Sequence, residues 1–424
     1  LLEWKNKNNR KPLILKGARQ IGKTYILKEF GKNEYRNVAY INCETEERAK
    51  DLFADYDVNR IIRVIGAITR QKINEHDTLI ILDEIQEEPK GLTCLKYFCE
   101  NAPNYHIAVA GSLLGIAIHA CNSFPVGKVN TIEMYPMNFE EFLEAMGELE
   151  KLDILRHSEW NTINSLASYY IELLRQYYFV GGMPEAVRSY VSNRDLEEVR
   201  DIQAEILGNY ASDFSKHAPD ADVPKINLVW SNIPAQMAKE NKKFIYGAIR
   251  KGARANDFET AIQWLVDSGI VYKVNKINTA TMPLKFYENI DAFKLFMLDC
   301  GLFGAYTRTN PADILAGNNV FVEYKGAFTE LFVLSQLKTN KDIDTYYYTN
   351  DRSTLEVDFV VQTKSKVIPI EVKAEVNTKS KSFRTFLNSN PSLQGVRFSM
   401  LPYIEQDQMV NIPLYGVTRF LYEN

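Results

Sequence analysis

Four short, continuously apolar runs mark the first ~135 residues: Pro12 to Leu15, Val38 to Ile41, Leu79 to Leu82 and Ile107 to Ala110. Stretches with helical spacing separate them, and this alternation predicts a parallel sheet with helices on both faces. From about 137 to 300 the helical period takes over. Phe258, Ala261, Ile262, Leu265 and Val266 fall on one face, Asn256 with Glu259 three residues on gives a capping signal, and Gly269 closes the stretch. Ile270 to Val274 then reads as a strand, so residues 225 to 300 fit helices ending in a β-ribbon, as in a winged helix. Near 310 the pattern changes again, to a helix from about Val320 to Leu337 and strands at Tyr346 to Tyr348, Leu355 to Val361 and Val367 to Val372. The expected organisation is an α/β core over 1–150, helices with a winged-helix-like segment over 151–310, and a further α/β domain over 311–424.

Composition narrows the class. At 424 residues, with 46% hydrophobic and 25% charged side chains, the chain is long enough for two or three cores and is not that of a disordered or fibrous protein. Fifty basic against 54 acidic residues leave a net charge of -4, which gives no global reason to expect a nucleic-acid partner. Five cysteines (Cys43, Cys94, Cys99, Cys121, Cys300) without a C-x-x-C pair indicate a reducing, cytoplasmic setting and no structural zinc. The longest apolar stretch, Ile107 to Cys121, is interrupted by Gly111, Ser112, Gly115 and His119 and is too short to span a bilayer. It reads as a strand end, a turn and a helix start, so no membrane partner is expected.

The chemistry begins with Gly17, Ala18, Arg19, Gln20, Ile21, Gly22, Lys23 and Thr24, which fit G-x-x-x-x-G-K-[ST] between an apolar strand and a helical stretch, Tyr25 to Phe30. Such a loop turns consecutive backbone N–H groups toward a polyphosphate at a helix N-terminus. Lys23 would reach the β and γ phosphates of ATP, and the Thr24 hydroxyl would ligate Mg²⁺. The run Leu79 to Leu82 delivers Asp83 and Glu84 at the end of a buried strand; Asp83 would hold Mg²⁺ through water, and Glu84 would orient the hydrolytic water as base. Ser112, after Ile107 to Gly111, is placed as a sensor of the γ-phosphate, with Gln86 a fainter candidate.

With Tyr135-Pro-Met-Asn-Phe139-Glu-Glu-Phe142 and Gly181-Gly-Met-Pro184-Glu-Ala added, the ordered motifs resemble the prokaryotic predicted AAA-type ATPases that carry a C-terminal nuclease-fold domain of unknown function. The resemblance covers nearly the whole chain. It implies a P-loop NTPase core, a helical lid, a winged-helix-like segment and a restriction-endonuclease-like module. The Gly181 to Ala186 element reads equally well as a mark of the lid or as a helix-turn-helix corner. Arg250 and Arg254, beside Lys251, are the candidates for a trans-acting arginine, and a solvated basic face explains them more simply.

A second cluster lies near the C-terminus. Alternation puts Glu356 and Asp358 on one face of a strand, Glu371 and Lys373 share a face of the next, and Glu330 interrupts an apolar stripe on a helix. A buried carboxylate needs a partner or a metal. The set resembles the PD-(D/E)xK phosphodiesterases, which implies Glu330, Asp358 and Glu371 as Mg²⁺ ligands and Lys373 as the catalytic cation; the departure is that Glu356-Val precedes Asp358 where the namesake has proline. Residues 311–424 hold 12 basic and 13 acidic side chains and advertise no phosphate-binding surface. One reading is an ATP-regulated nuclease or remodelling factor with DNA as partner. The alternative is an ATP-controlled regulatory or interaction protein, partnered by another protein or by a second copy of itself, whose nuclease-like domain is catalytically silent. A simple P-loop kinase is disfavoured by the lid and C-terminal modules.

Overall fold

The computed structural model describes residues 1–120, 124–239, 243–316, 322–350, 355–374 and 381–423. Cys121 and the expected start of a helix at Val320 lie outside these residues. The chain forms two compact units, Leu1–Tyr135 with Asp267–Gly269, and Pro136–Val266 with Ile270–Asn424.

In the first unit, β1 (Leu13–Lys16), β2 (Asn37–Asn42), β3 (Thr78–Asp83), β4 (His106–Ala110) and β5 (Asn130–Glu133) form one sheet in the order β2-β3-β4-β1-β5. Every neighbouring pair is parallel. The apolar runs are continuous because both faces are covered. Ile14, Ile41, Ile80, Leu82, Ile107 and Val109 pack on one side with α2 (Val58–Thr69) and α3 (Pro89–Asn101). Leu13, Leu15, Leu79, Ile81 and Ala108 pack on the other with Leu27 and Phe30 of α1 (Lys23–Glu34). Each fully buried Ile or Leu contributes about 1.5–3 kcal/mol. Asp57 caps α2 by accepting from the N–H groups of Asn59 and Arg60. The sequence pattern predicts β1 to β4; β5 alternates half-buried and exposed residues at the sheet edge, so it carries no apolar run.

The second unit opens with α4 (Phe139–Ala145), where Asn138 and Glu141 form a capping box. Longer helices follow: α5 (Ala167–Val180), α6 (Pro184–Asn193), α7 (Leu196–His217), α8 (Val223–Met237) and α9 (Ala255–Asp267). The predicted cap of α9 at Asn256 sits two residues late: the helix starts at Ala255, and the Arg254 N–H donates to Asp257 Oδ2. Next come β6 (Val271–Ile277), β7 (Glu288–Met297), α10 (Cys300–Tyr306), α11 (Val322–Lys338), β8 (Asp344–Thr349), β9 (Glu356–Gln362), β10 (Val367–Val372), α12 (Lys381–Ser389), β11 (Gly395–Ser399), β12 (Ile404–Gln406) and β13 (Met409–Pro413).

All eight strands join one mixed sheet in the order β12-β13-β11-β10-β9-β8-β6-β7. The β6–β7 ribbon, expected as a wing ending a separate domain at 310, is antiparallel, and β6 pairs in parallel with β8. The sheet therefore crosses the expected boundary. Ala292 to Met297 of β7 are buried in an unbroken run, which a free two-stranded ribbon could not cover.

The Gly181 to Ala186 element is the corner between α5 and α6. Gly181 has φ 73°, and a Cβ there would collide with the Asp299 carboxylate. A Cβ on Gly182 would collide with the Met137 carbonyl, while the Met137 N–H donates to the Gly182 carbonyl at 2.7 Å. Asp299, 2% exposed, accepts from the N–H groups of Gly182 at 2.7 Å and Leu302 at 2.9 Å, the latter as N-cap of α10. Burial pushes its carboxyl above the usual range despite these bonds. The Tyr135–Phe142 and Gly181–Ala186 motifs thus meet through the Met137–Gly182 backbone bond, and the buried Asp299 carboxylate holds the second of them.

Candidate active site

Three neighbouring strands of the first unit, β3, β4 and β1, present their C-terminal ends together, the edge at which parallel α/β sheets bind ligands. The loop Gly17–Gly22 follows β1. Gly17 at φ 147° and Gly22 at φ 91° supply the turns, and Gln20 takes φ 65°, a left-handed conformation that costs a non-glycine residue about 1–2 kcal/mol. A Cβ on Gly17 would meet the Met134 carbonyl oxygen, so only glycine lets the loop lie this close to the neighbouring backbone. Ala18 and Ile21 are buried, and Arg19 is partly so.

Lys23, 6% exposed, donates to the carbonyls of Gly17 at 3.0 Å and Ala18 at 2.6 Å, so its ammonium lies inside the loop. Burial lowers its pKa to about 8, against the opposing pull of Glu84 and Asp83. The Thr24 hydroxyl donates to Asp83 Oδ2 at 2.7 Å, and Tyr40 donates to the same oxygen at 3.0 Å. Burial and the Asp83 charge push the Tyr40 phenol up to about 12.

Glu84 adopts a left-handed φ of 49° immediately after β3. Its Oε2 accepts from the Ser112 N–H at 3.1 Å, the Ser112 hydroxyl at 3.0 Å and the Gln86 amide at 2.6 Å. Burial raises its pKa, but the bonds from Gln86 and Ser112 and the charge of Lys23 outweigh that and hold the carboxyl below the ordinary range. A Cβ on Gly111 would have to displace the Gln86 side chain, which donates to Glu84. The structure thus brings Lys23, Thr24, Asp83, Glu84, Gln86 and Ser112 to one edge. A hydroxyl touching a carboxylate at the head of a 12-residue helix is the donor set a divalent ion and a polyphosphate take, so Mg²⁺ and ATP fit. Sequence reasoning missed Tyr40; nothing short of the β2–β3 register, which pairs Asn42 with Asp83, brings it here.

The second cluster is built differently from its expected form. Asp358 Oδ2 accepts from the Val372 N–H at 2.8 Å, tying β9 to β10, and Lys373 lies 3.1 Å from Glu371 Oε1. A group absent from the expectation joins them: Lys294 of β7, 1% exposed, donates to Glu356 Oε1 at 2.7 Å and lies over the Tyr347 ring. Burial lowers the Lys294 pKa, but the charges of Glu330, Glu356 and Asp358 reverse the shift and keep it protonated. Burial, then the charge of Glu330, raises the Asp358 carboxyl. Among the described residues no three His, Cys, Asp or Glu side chains form a group able to hold a metal as they lie. Among the described residues the buried Glu371 Oε2 meets no hydrogen-bond donor, while Oε1 faces Lys373.

Arg250, Lys251 and Arg254 are exposed. Cys43, Cys94, Cys99 and Cys300 are free thiols. Among the described residues no helix is long and apolar enough to cross a membrane.

Residues 171–313 match a domain of unknown function (DUF8612), and residues 325–415 match another (DUF4143). No curated protein matches significantly. Among solved structures, a Walker-type ATPase of Pyrococcus abyssi is 15% identical with a TM-score of 0.45, over 72% of this chain and 93% of that one. The S. cerevisiae Hsp104–ADP complex is 14% identical with a TM-score of 0.26, over 63% of this chain and 37% of that one. Protein VC1899 from Vibrio cholerae is 12% identical with a TM-score of 0.19, over 91% and 96%. Residues 9–143 match the family described as AAA domain, and they carry the phosphate loop on a five-stranded parallel sheet.

Proposed function

We propose that the protein hydrolyses ATP at the loop Gly17–Thr24 and uses the cycle to switch its conformation. The observation that carries this reading is the meeting of three strand ends: Thr24 on Asp83, and Glu84 on Ser112. Lys23 binds the β and γ phosphates, exchanging the Gly17 and Ala18 carbonyls for phosphate oxygens. Thr24 and Asp83 would hold Mg²⁺, and the ion would supply charge to neutralise the phosphate oxygens. Glu84, ionised at neutral pH, orients the attacking water and accepts its proton. Ser112 and Gln86 restrain that carboxylate, so a change at either is felt at the base.

The test is steady-state ATP turnover of the wild type and Glu84→Gln. Loss of the base lowers kcat by about 10²- to 10⁴-fold while ATP still binds. Unchanged kcat would remove Glu84 from this role.

For the second unit the regulatory or interaction reading is favoured over a DNA nuclease. The near-balanced charge of 311–424 and the lysine inside the carboxylate cluster both support it. Plasmid incubated with Mg²⁺ or Mn²⁺ beside an Asp358→Ala control decides: scission that the substitution abolishes would restore the nuclease.

A further inference from the structure

Tyr40 carries a hydroxyl that no part of the phosphate-loop pattern calls for, yet that hydroxyl lies on the carboxylate an ion would need. The residue stands in β2, two positions before Asn42, which is the register partner of Asp83 on β3. Its ring packs on the face covered by α1, with Leu27 and Phe30 of that helix and Leu79 and Ile81 of β3. Asp83 follows Ile81 by two positions and so faces the same side. The Lys28 ammonium of α1 lies 3.5 Å from the centroid of the half-buried Tyr40 ring, which helps to fix the ring plane.

The buried Asp83 carboxylate is oriented through both oxygens. Its Oδ1 accepts from the Glu84 N–H at 3.2 Å, and its Oδ2 accepts from the Thr24 hydroxyl at 2.7 Å and from the Tyr40 hydroxyl at 3.0 Å. Thr24 is itself an expected ligand, so its oxygen is shared with the ion. Tyr40 is not a ligand. Its ring is fixed in the sheet, and its bond to Asp83 is in place before any nucleotide arrives. A side chain ordered in advance does not lose that freedom on binding.

We propose that Tyr40 is a positioning residue for the magnesium site: its hydroxyl holds the Asp83 side chain in place for the ion and so sets the Mg²⁺ concentration at which the loop grips its nucleotide. The inference rests on the ATPase reading of Gly17–Thr24 and deepens it. A hydroxyl on Oδ2 also draws some charge from the carboxylate, which opposes the effect. Hydrogen-bonded partners behind a metal ligand generally gain about 10- to 100-fold in metal affinity, so orientation decides the sign. Tyr40 acts through Asp83 alone and takes no part in the chemical step.

The experiment is a Mg²⁺ titration of the full-length chain with a ribose-labelled fluorescent ADP as probe, for the wild type and Tyr40→Phe. The substitution keeps the ring and its packing and deletes only the hydroxyl. Tyr40→Phe should raise the half-saturating Mg²⁺ concentration about tenfold or more, while probe affinity in EDTA and the urea unfolding midpoint stay as in the wild type. In an Asp83→Asn background the same substitution should leave the titration unmoved. An unchanged Mg²⁺ dependence in Tyr40→Phe overturns the inference. An equal loss of affinity in EDTA, or a further loss in the Asp83→Asn background, also overturns it, because the effect would not then run through the carboxylate and the ion. The two levels separate on the wild type: probe binding that ignores Mg²⁺ there sinks the ATPase reading, whereas a responsive wild type beside an identically responsive Tyr40→Phe sinks the positioning role alone.

Discussion

Asp299 joins the Gly181–Gly182 corner to the start of α10, and replacing it with alanine strikes that join alone. The substitution deletes the acceptor of two N–H groups, Gly182 at 2.7 Å and Leu302 at 2.9 Å, in a place where the residue is 2% exposed. Water has little access, so each stranded donor costs roughly 1–3 kcal/mol, and the expected loss is about 2–6 kcal/mol. Asparagine refines the reasoning. Its carbonyl can serve Leu302, but its amide would then point a donor at the Gly182 N–H, so about half the loss should remain. Urea unfolding followed by tryptophan fluorescence reads the effect, with Mg²⁺-ATP added to shift the transition of the first unit and identify that of the second. An Asp299→Ala transition within about 0.5 kcal/mol of wild type, the range of ordinary surface changes, would refute the view that this carboxylate holds the corner.

The same corner predicts that Gly181→Ala destabilises the second unit by more than about 1 kcal/mol, since it combines a left-handed φ of 73° with a collision against Asp299; circular dichroism melts check it, and a neutral result contradicts it. Ser112→Ala removes one of two bonds from that residue to Glu84 and should alter kcat for ATP with little change in KM, whereas a change in KM alone would assign Ser112 to binding. Because burial lowers the Lys23 pKa to about 8, the protonated form that grips phosphate is lost as pH rises through that value. ATP affinity measured by calorimetry should fall from pH 7 to 9 in the wild type and stay flatter in Lys23→Arg, and parallel curves would exclude Lys23 as the titrating group.

The phosphate loop was legible because its chemistry is local: Gly17 to Thr24 are contiguous, and β3 announces itself by six buried positions ending in Asp83. Glu84 and Ser112 were legible too, since each directly follows an apolar strand. The edge strand β5 was not, because a strand half open to solvent needs no apolar run. Asp299 and Lys294 escaped for another reason. A charge within an apolar run, as Lys294 is among Phe293, Leu295 and Phe296, gains meaning from a partner such as Glu356, 62 residues away in the chain. The two C-terminal strands do lie side by side, tied by the bond from the Val372 N–H to Asp358. What the sequence pattern could not supply was the sheet order, which sets β7 in the same sheet as β8 and β9 and brings a lysine with it.

Equilibrium binding of ATP with and without Mg²⁺, to the wild type and to Lys23→Ala, tests the central claim most directly. Mg²⁺-dependent ATP affinity in the wild type and its loss by at least about tenfold in Lys23→Ala are the predicted outcome, given that the side chain lies inside the loop on the Gly17 and Ala18 carbonyls. Equal affinity of the two proteins, or binding indifferent to Mg²⁺, would contradict it.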